Sequence, residues 1–135
     1  MINNLFRSVD PLRQGLDAAW TRNAVIRNNI ANVETPNFKA SEVQFESLLA
    51  RSLQDSSSFQ GVLTHPRHIE FSSRTGPVTH RIVQRRETSM RLDGNNVDIE
   101  AENVRLAQNS IWYNTLVEQM NSEIRRLRMA ITETR

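Results

Sequence analysis

The stretch NNIANVETPNFK, residues 28–39, decides how this chain folds, and DGNNVDIE, residues 93–100, answers it towards the other end. Pro36 pushes Thr35 out of the α region, so a helix that arrives here must stop. Asp93, Gly94, Asn95 and Asn96 are turn formers, with Gly94 or Asn95 expected at positive φ. Val97 follows, and then Asp98, which is placed to cap a helix whose first turn carries Glu100 and Glu102 near the positive end of the dipole. One motif closes a helix and the other opens one, which suits a part that assembles better than a part that does chemistry.

Upstream of the first motif, Asp10 followed by Pro11 reads as an N-cap with proline at the first helical position, where its missing N–H does no harm. Leu12, Leu16, Ala19, Asn23, Ile26, Ile30 and Val33 recur at alternating spacings of four and three, the pattern of a coiled-coil seam interrupted only by Asn23. A helix over about 11–34 follows. Ser41, Glu42, Val43 and Gln44 have the form of a capping box ahead of Phe45, Leu48, Leu49 and Leu53, which predicts a short helix over about 42–54. The polar run QDSSSFQG reads as a loop. Val78, His80 and Ile82 alternate after a Gly76-Pro77 turn, so a small β-hairpin with residues 61–64 is the expectation for an otherwise poorly regular centre.

Downstream of the second motif no Pro or Gly interrupts the chain, which predicts one helix over about 98–135. Its stripe runs through Val104, Ala107, Ile111 and Asn114, then shifts phase to Val117, Met120, Ile124, Leu127 and Ile131. Leu16, Ile26 and Ile30 are expected to face Ile111, Val117, Met120 or Ile124. The fold class is thus mainly α. Long N- and C-terminal helices pack as a coiled-coil-like axial unit in a single domain spanning 1–135, with a loop and hairpin region over about 55–97.

Composition narrows the function. Hydrophobic residues are 38% and aromatics 6% of the 135 residues, lean for a chain that must offset its conformational entropy by burial alone. Burial against neighbouring subunits would supply the deficit, and the isolated subunit is expected to be only partly ordered. The net charge of +2 comes from basic residues spread along the chain, which argues against a nucleic-acid partner. There is no cysteine, so thiolate chemistry and Cys-ligated zinc are excluded. No 18-residue apolar run predicts a transmembrane segment, and the N-terminal residues do not read as a secretory signal.

Candidate chemistry is sparse. His65, His68, Glu70 and His80 are the one group resembling metal ligands, but Pro66 denies them the helical spacing of two-histidine zinc motifs. Loop histidines are the commoner outcome, so no metal and no cofactor is expected. Arg81, Arg85, Arg86 and Arg91 lack interleaved aromatics and read as a solvated strand face or a salt-bridging interface. There is no glycine-rich phosphate loop and no nucleophile elbow, so an enzyme is not expected.

At the first motif the sequence resembles the axial proteins of the bacterial flagellum, whose signature is written ANxxTPGYK. Here it stands as ANVETPNFK, matching at Ala31, Asn32, Thr35, Pro36 and Lys39. Asn37 replaces the glycine and tolerates positive φ, while Phe38 keeps the tyrosine ring without its hydroxyl. DGNNVDIE and NVRLAQNSIWYNTLV narrow the likeness to the short proximal-rod type, with rod protein C the alternative of similar length; a helical adaptor module is the alternative outside the family. The resemblance implies a structural subunit of the hollow shaft in the basal body, exported through the flagellar type III channel without a cleaved signal. It implies partners in copies of itself, in rod proteins C and F, and in the adaptor joining rod to membrane ring and export gate. The assembly motif would then be residues 31, 32, 35, 36, 38 and 39 with 93–98. Phe38 is expected to anchor a subunit contact from an ordered turn.

Overall fold

A computed structural model describes residues 9–56, 78–86 and 91–132. In chain order they form α1 (Asp10–Ala31), β1 (Ser41–Gln44), α2 (Glu46–Ser56), β2 (Arg81–Gln84) and α3 (Ile99–Thr132). The two long helices pack antiparallel: Gly15 of α1 sits against Leu116 of α3, Ala19 against Asn109, and Asn29 against Glu102. The mainly helical architecture with a small two-stranded ribbon matches the fold class expected from the sequence.

α1 begins with Val9 as its N-cap and no side-chain cap, so the reading of Asp10 as N-cap is corrected. Asp10 lies inside the first turn, where its charge still faces the positive end of the dipole. The helix stops at Ala31 and not at 34, because the Asn32 N–H reaches both Asn28 O (3.2 Å) and Asn29 O (3.1 Å) and the chain then tightens into turns.

The capping-box reading of residues 41–44 is overturned. These residues form β1, which pairs antiparallel with β2 in the register Ser41↔Gln84 and Val43↔Ile82. The cause is long-range. The Asn29 amide donates to Ser41 O at 2.8 Å and accepts from Ser41 N at 3.0 Å, reproducing a ladder bond pair on the side away from β2. Extended backbone satisfied on both sides has no reason to coil, so α2 starts at Glu46, with the Leu49 N–H donating to Phe45 O at 2.8 Å. The strand partner expected at residues 61–64 lies outside the described residues.

The fully buried positions of the helix interface are mostly small or polar, and only part of the expected apolar stripes is among them. Gly15, Ala18, Ala19, Ile26 and Asn29 are the buried positions of α1, and Glu102, Asn109 and Leu116 those of α3. Small side chains let the backbones approach: a Cβ on Gly15 would stand 3.3 Å from Leu116 Cδ1 and 3.8 Å from Phe45 Cε1. Of the expected facing residues, Ile26 is buried and Leu16, Ile30, Val117 and Met120 are half-buried, whereas Ile111 is 69% and Ile124 50% exposed. Ile111 falls on the far side of α3 because the inward line 102–109–116 repeats every seven residues at a different helical angle. The apolar core is correspondingly small, with Ala40, Val43, Phe45 and Val97 adding to the helix contacts.

Candidate functional site

The two turn motifs, some sixty residues apart in sequence, fold into one junction at the end of the helix pair. Asn95, fully buried, points its Nδ2 at three carbonyl oxygens of the first motif: Asn32 (3.0 Å), Val33 (3.0 Å) and Thr35 (2.9 Å). Its Oδ1 accepts the Val97 N–H at 2.7 Å. The carbonyls of the turn that follows α1 are therefore bound by a side chain from the turn that starts α3.

Backbone geometry makes the contact close. Asn37 has φ +59 and Gly94 φ +80, and the Asn37 N–H donates to Asp93 O at 2.9 Å. Gly94 is favoured by its conformation, and a Cβ there would stand 2.6 Å from Asn37 Oδ1 and make that side chain shift. The asparagine substituting for the glycine of the signature does take positive φ, as expected. Lys39 Nζ donates to Gly94 O at 2.8 Å, which places the last residue of the first motif across the second.

Asn96 faces the other way. Its Oδ1 accepts the Ala40 N–H at 2.7 Å and its Nδ2 donates to Arg85 O at 2.6 Å, holding the ribbon to the junction. Asp98 caps α3 as the sequence predicted, its Oδ1 accepting from the Glu100 N–H (3.0 Å) and the Ala101 N–H (3.2 Å). Asn32 and Thr35 brace the turn from within: Asn32 Nδ2 donates to Asn28 O at 2.8 Å, and Thr35 Oγ1 to Asn32 Oδ1 at 3.2 Å. Ala31 and Pro36 are exposed, and Phe38 is half-buried at the edge.

One turn further into the bundle lies a charged knot that sequence reading missed. Glu102 is 1% exposed and accepts from Arg85 Nη2 (3.0 Å), Asn29 Nδ2 (3.1 Å) and Arg105 Nη1. A buried carboxylate needs such partners, since removing any one leaves charge uncompensated. The Arg-rich stretch thus has structural work: Arg85 binds Glu102, and Arg91 reaches Val33 O at 3.2 Å and Glu34 Oε1 at 3.4 Å. At the far side of the ribbon Arg22 Nη2 contacts both Glu46 oxygens at 2.7 and 2.8 Å. Burial alone would raise the Glu46 carboxyl, but the Arg22 hydrogen bond, the backbone N–H groups and the Arg22 charge together hold it below its ordinary value.

No chemistry on a substrate emerges among the described residues. His80 pairs with Asp17 at 3.5 Å, while His65, His68 and Glu70 lie outside the described residues. Among the described residues no group of three His, Asp or Glu is placed to hold a metal ion, and no helix is long and apolar enough to cross a membrane.

No protein-family model matches the chain. The flagellar basal body rod protein FlgB of Bacillus subtilis is 40% identical over 125 residues, covering 93% of each chain. FlgB of Borreliella burgdorferi is 34% identical over 120 residues, 85% of this chain and 88% of that one. FlgB of Escherichia coli K12 is 29% identical over 129 residues, 93% of each.

Proposed function

Since the chain belongs to the family of the flagellar basal body rod protein FlgB, a structural component of the rod, we propose that it builds the proximal rod by helical self-assembly and transmits torque through side-by-side helices. The observation that carries the reading is the junction, in which Asn95 ties the end of α1 to the start of α3. A shaft under torsion needs its two long helices to keep a fixed register, and side-chain amides bonded to turn carbonyls on both sides supply it.

The assembly motif proposed is Ala31, Asn32, Thr35, Pro36, Phe38 and Lys39 with the residues 93–98 that hold them in place. Exposed Pro36 and half-buried Phe38 stand at the outer edge of the junction, where a neighbouring subunit can cover the ring. The proposed neighbours are further copies of the chain, rod proteins C and F, and the adaptor that joins rod to membrane ring and export gate. Export through the flagellar type III channel without a cleaved signal is part of the same proposal. So is the absence of catalysis, which suits a chain whose buried polar groups are spent on holding turns. The test is to delete the gene, complement it with a tagged copy and isolate basal bodies. Recovery of the chain in the rod fraction with restored motility is expected; motility in the deletion strain overturns the reading.

A further inference from the structure

We propose that the Asp93–Gly94 bond is a site of spontaneous backbone modification, at which the unfolded chain converts Asp93 to isoaspartate and the folded junction shuts the reaction off. The proposal is independent of the rod reading. An aspartyl bond followed by glycine is the kind most prone to this rearrangement, because glycine sets no side chain beside the attacking nitrogen and leaves the backbone free to turn towards it. The sequence contains it once, since of the four glycines only Gly94 follows Asp or Asn. It lies in the turn that joins the two motifs, where the Asn37 N–H donates to Asp93 O at 2.9 Å and Lys39 Nζ to Gly94 O at 2.8 Å.

The rearrangement needs water alone. The Gly94 nitrogen bonds to Asp93 Cγ, while the amide hydrogen, one carboxyl oxygen and one solvent proton leave together as water, and a five-membered imide remains. Water then adds to either imide carbonyl. Attack at Cγ breaks the new C–N bond and returns aspartate; attack at the main-chain carbonyl breaks the original peptide bond and gives isoaspartate, with one proton released in each case.

In the folded chain every reacting group is already engaged. The Gly94 N–H donates to Arg91 O at 3.1 Å, Asp93 Oδ1 accepts the Asn95 N–H at 3.1 Å, and Asp93 Oδ2 stands 3.6 Å from Arg91 Nε. Imide closure removes the hydrogen that Arg91 O accepts and one of the two carboxyl oxygens so held. Closure therefore follows opening of the junction, and its rate tracks the opened population. The product cannot re-form what was opened. Isoaspartate carries the main chain through Cβ and Cγ, which adds one backbone carbon, and turns the carbonyl that received the Asn37 N–H into a free carboxylate. Asn95 then loses its register with the carbonyls of Asn32, Val33 and Thr35. The bond that closes the junction is thus the bond at which an ageing unfolded chain loses the ability to close it.

The test incubates the purified full chain at neutral pH in native buffer and in urea. Isoaspartate is counted by methyl transfer with an isoaspartyl carboxyl methyltransferase and placed by electron-transfer fragmentation. In urea it is expected to accumulate at Asp93 ahead of every other Asp and Asn, and in native buffer at least about tenfold more slowly, because only opened molecules react. Gly94→Ala, compared in urea where its effect on the fold does not enter, should slow the reaction several-fold. Asn95→Ala, which releases the tie between the motifs, should raise the rate in native buffer towards the urea value. The isoaspartate form, separated by chromatography and returned to native buffer, should lack the slow hydrogen exchange of the Asn37 and Val97 amides. Equal accumulation in buffer and urea overturns the proposal, as does isoaspartate arising mainly at other residues, or a Gly94→Ala chain that reacts as fast as the parent. An Asn95→Ala rate in buffer no higher than the parent's, or an isoaspartate form that regains the parent's amide protection, overturns the role given to the junction.

Discussion

Replacing Asn95 by alanine is expected to cost the folded chain about 3 kcal/mol. The side chain is fully buried, gives its Nδ2 hydrogens to three carbonyls and accepts the Val97 N–H. An –NH₂ group has two hydrogens, so the three contacts amount to two shared bonds. A buried polar group left without its partner costs about 1–3 kcal/mol. The Val97 N–H, beside a buried side chain, takes the middle of that range, while water reaching the exposed turn reduces the loss at the carbonyls to about 1 kcal/mol. With a urea slope of about 1–1.5 kcal/mol per M, the midpoint followed by far-ultraviolet circular dichroism should fall by about 2–3 M, or the transition should vanish. Asn95→Asp sharpens the test, because it keeps the acceptor for Val97 but aims a carboxylate oxygen at three carbonyls. Burial and those dipoles raise the folded-state pKa of the new acid above its unfolded value of about 3.9. Its penalty is then smallest below that unfolded value and grows as pH rises towards the folded one. A midpoint for Asn95→Ala within about 0.3 M of the parent, or an Asn95→Asp penalty that shrinks as pH rises from 4 to 7, would refute the assignment of Asn95 as the tie between the motifs.

Gly94→Val should destabilise by at least about 1 kcal/mol, since φ +80 disfavours a branched residue and the Cβ would meet Asn37 Oδ1; an unchanged thermal midpoint counts against it. Phe38→Ala should reduce incorporation into isolated rods while leaving the circular dichroism of the subunit nearly unchanged, if its half-buried ring meets a neighbour as proposed; normal incorporation would show that the ring is merely tucked. Glu46 is held below its ordinary carboxyl pKa, so its pairing with Arg22 contributes fully above the unfolded value of about 4.3 and is lost as pH falls through the folded one. Glu46→Gln should therefore cost a few tenths to about 1 kcal/mol at neutral pH, discounted for a carboxylate more than half exposed, and nothing at the acid end; a pH-independent difference would contradict the ion pair. In the free subunit, hydrogen exchange should be slow at the Asn37 and Val97 amides and fast in α3 beyond Leu116, with protection there rising on assembly; uniform protection in a proven monomer would show that this end of α3 needs no partner.

Much of this was legible in the sequence because it rests on local rules. Pro36 had to stop a helix, Asn37 and either Gly94 or Asn95 were the residues able to take positive φ, and Asp98 was a cap whatever lay beyond it. The long helices followed from apolar periodicity and from the absence of Pro and Gly after residue 97. Which face each helix buries was decided elsewhere. Apolar periodicity marks every surface that will be dry, and α3 has more of it than α1 can cover, so Ile111 and Ile124 read as core although they lie outside it. Residues 41–44 had a helix signature and became a strand because Asn29, remote in sequence, takes both Ser41 backbone groups. Glu102 read as a dipole-favoured surface acid and became the centre of a buried knot once Arg85 and Arg105 converged on it. Turns and helix ends are governed by the few residues that form them, so they are determined by sequence alone. Register, buried polar pairing and the meeting of the two motifs depend on groups dozens of residues apart, whose satisfaction exists only once the chain has closed on itself.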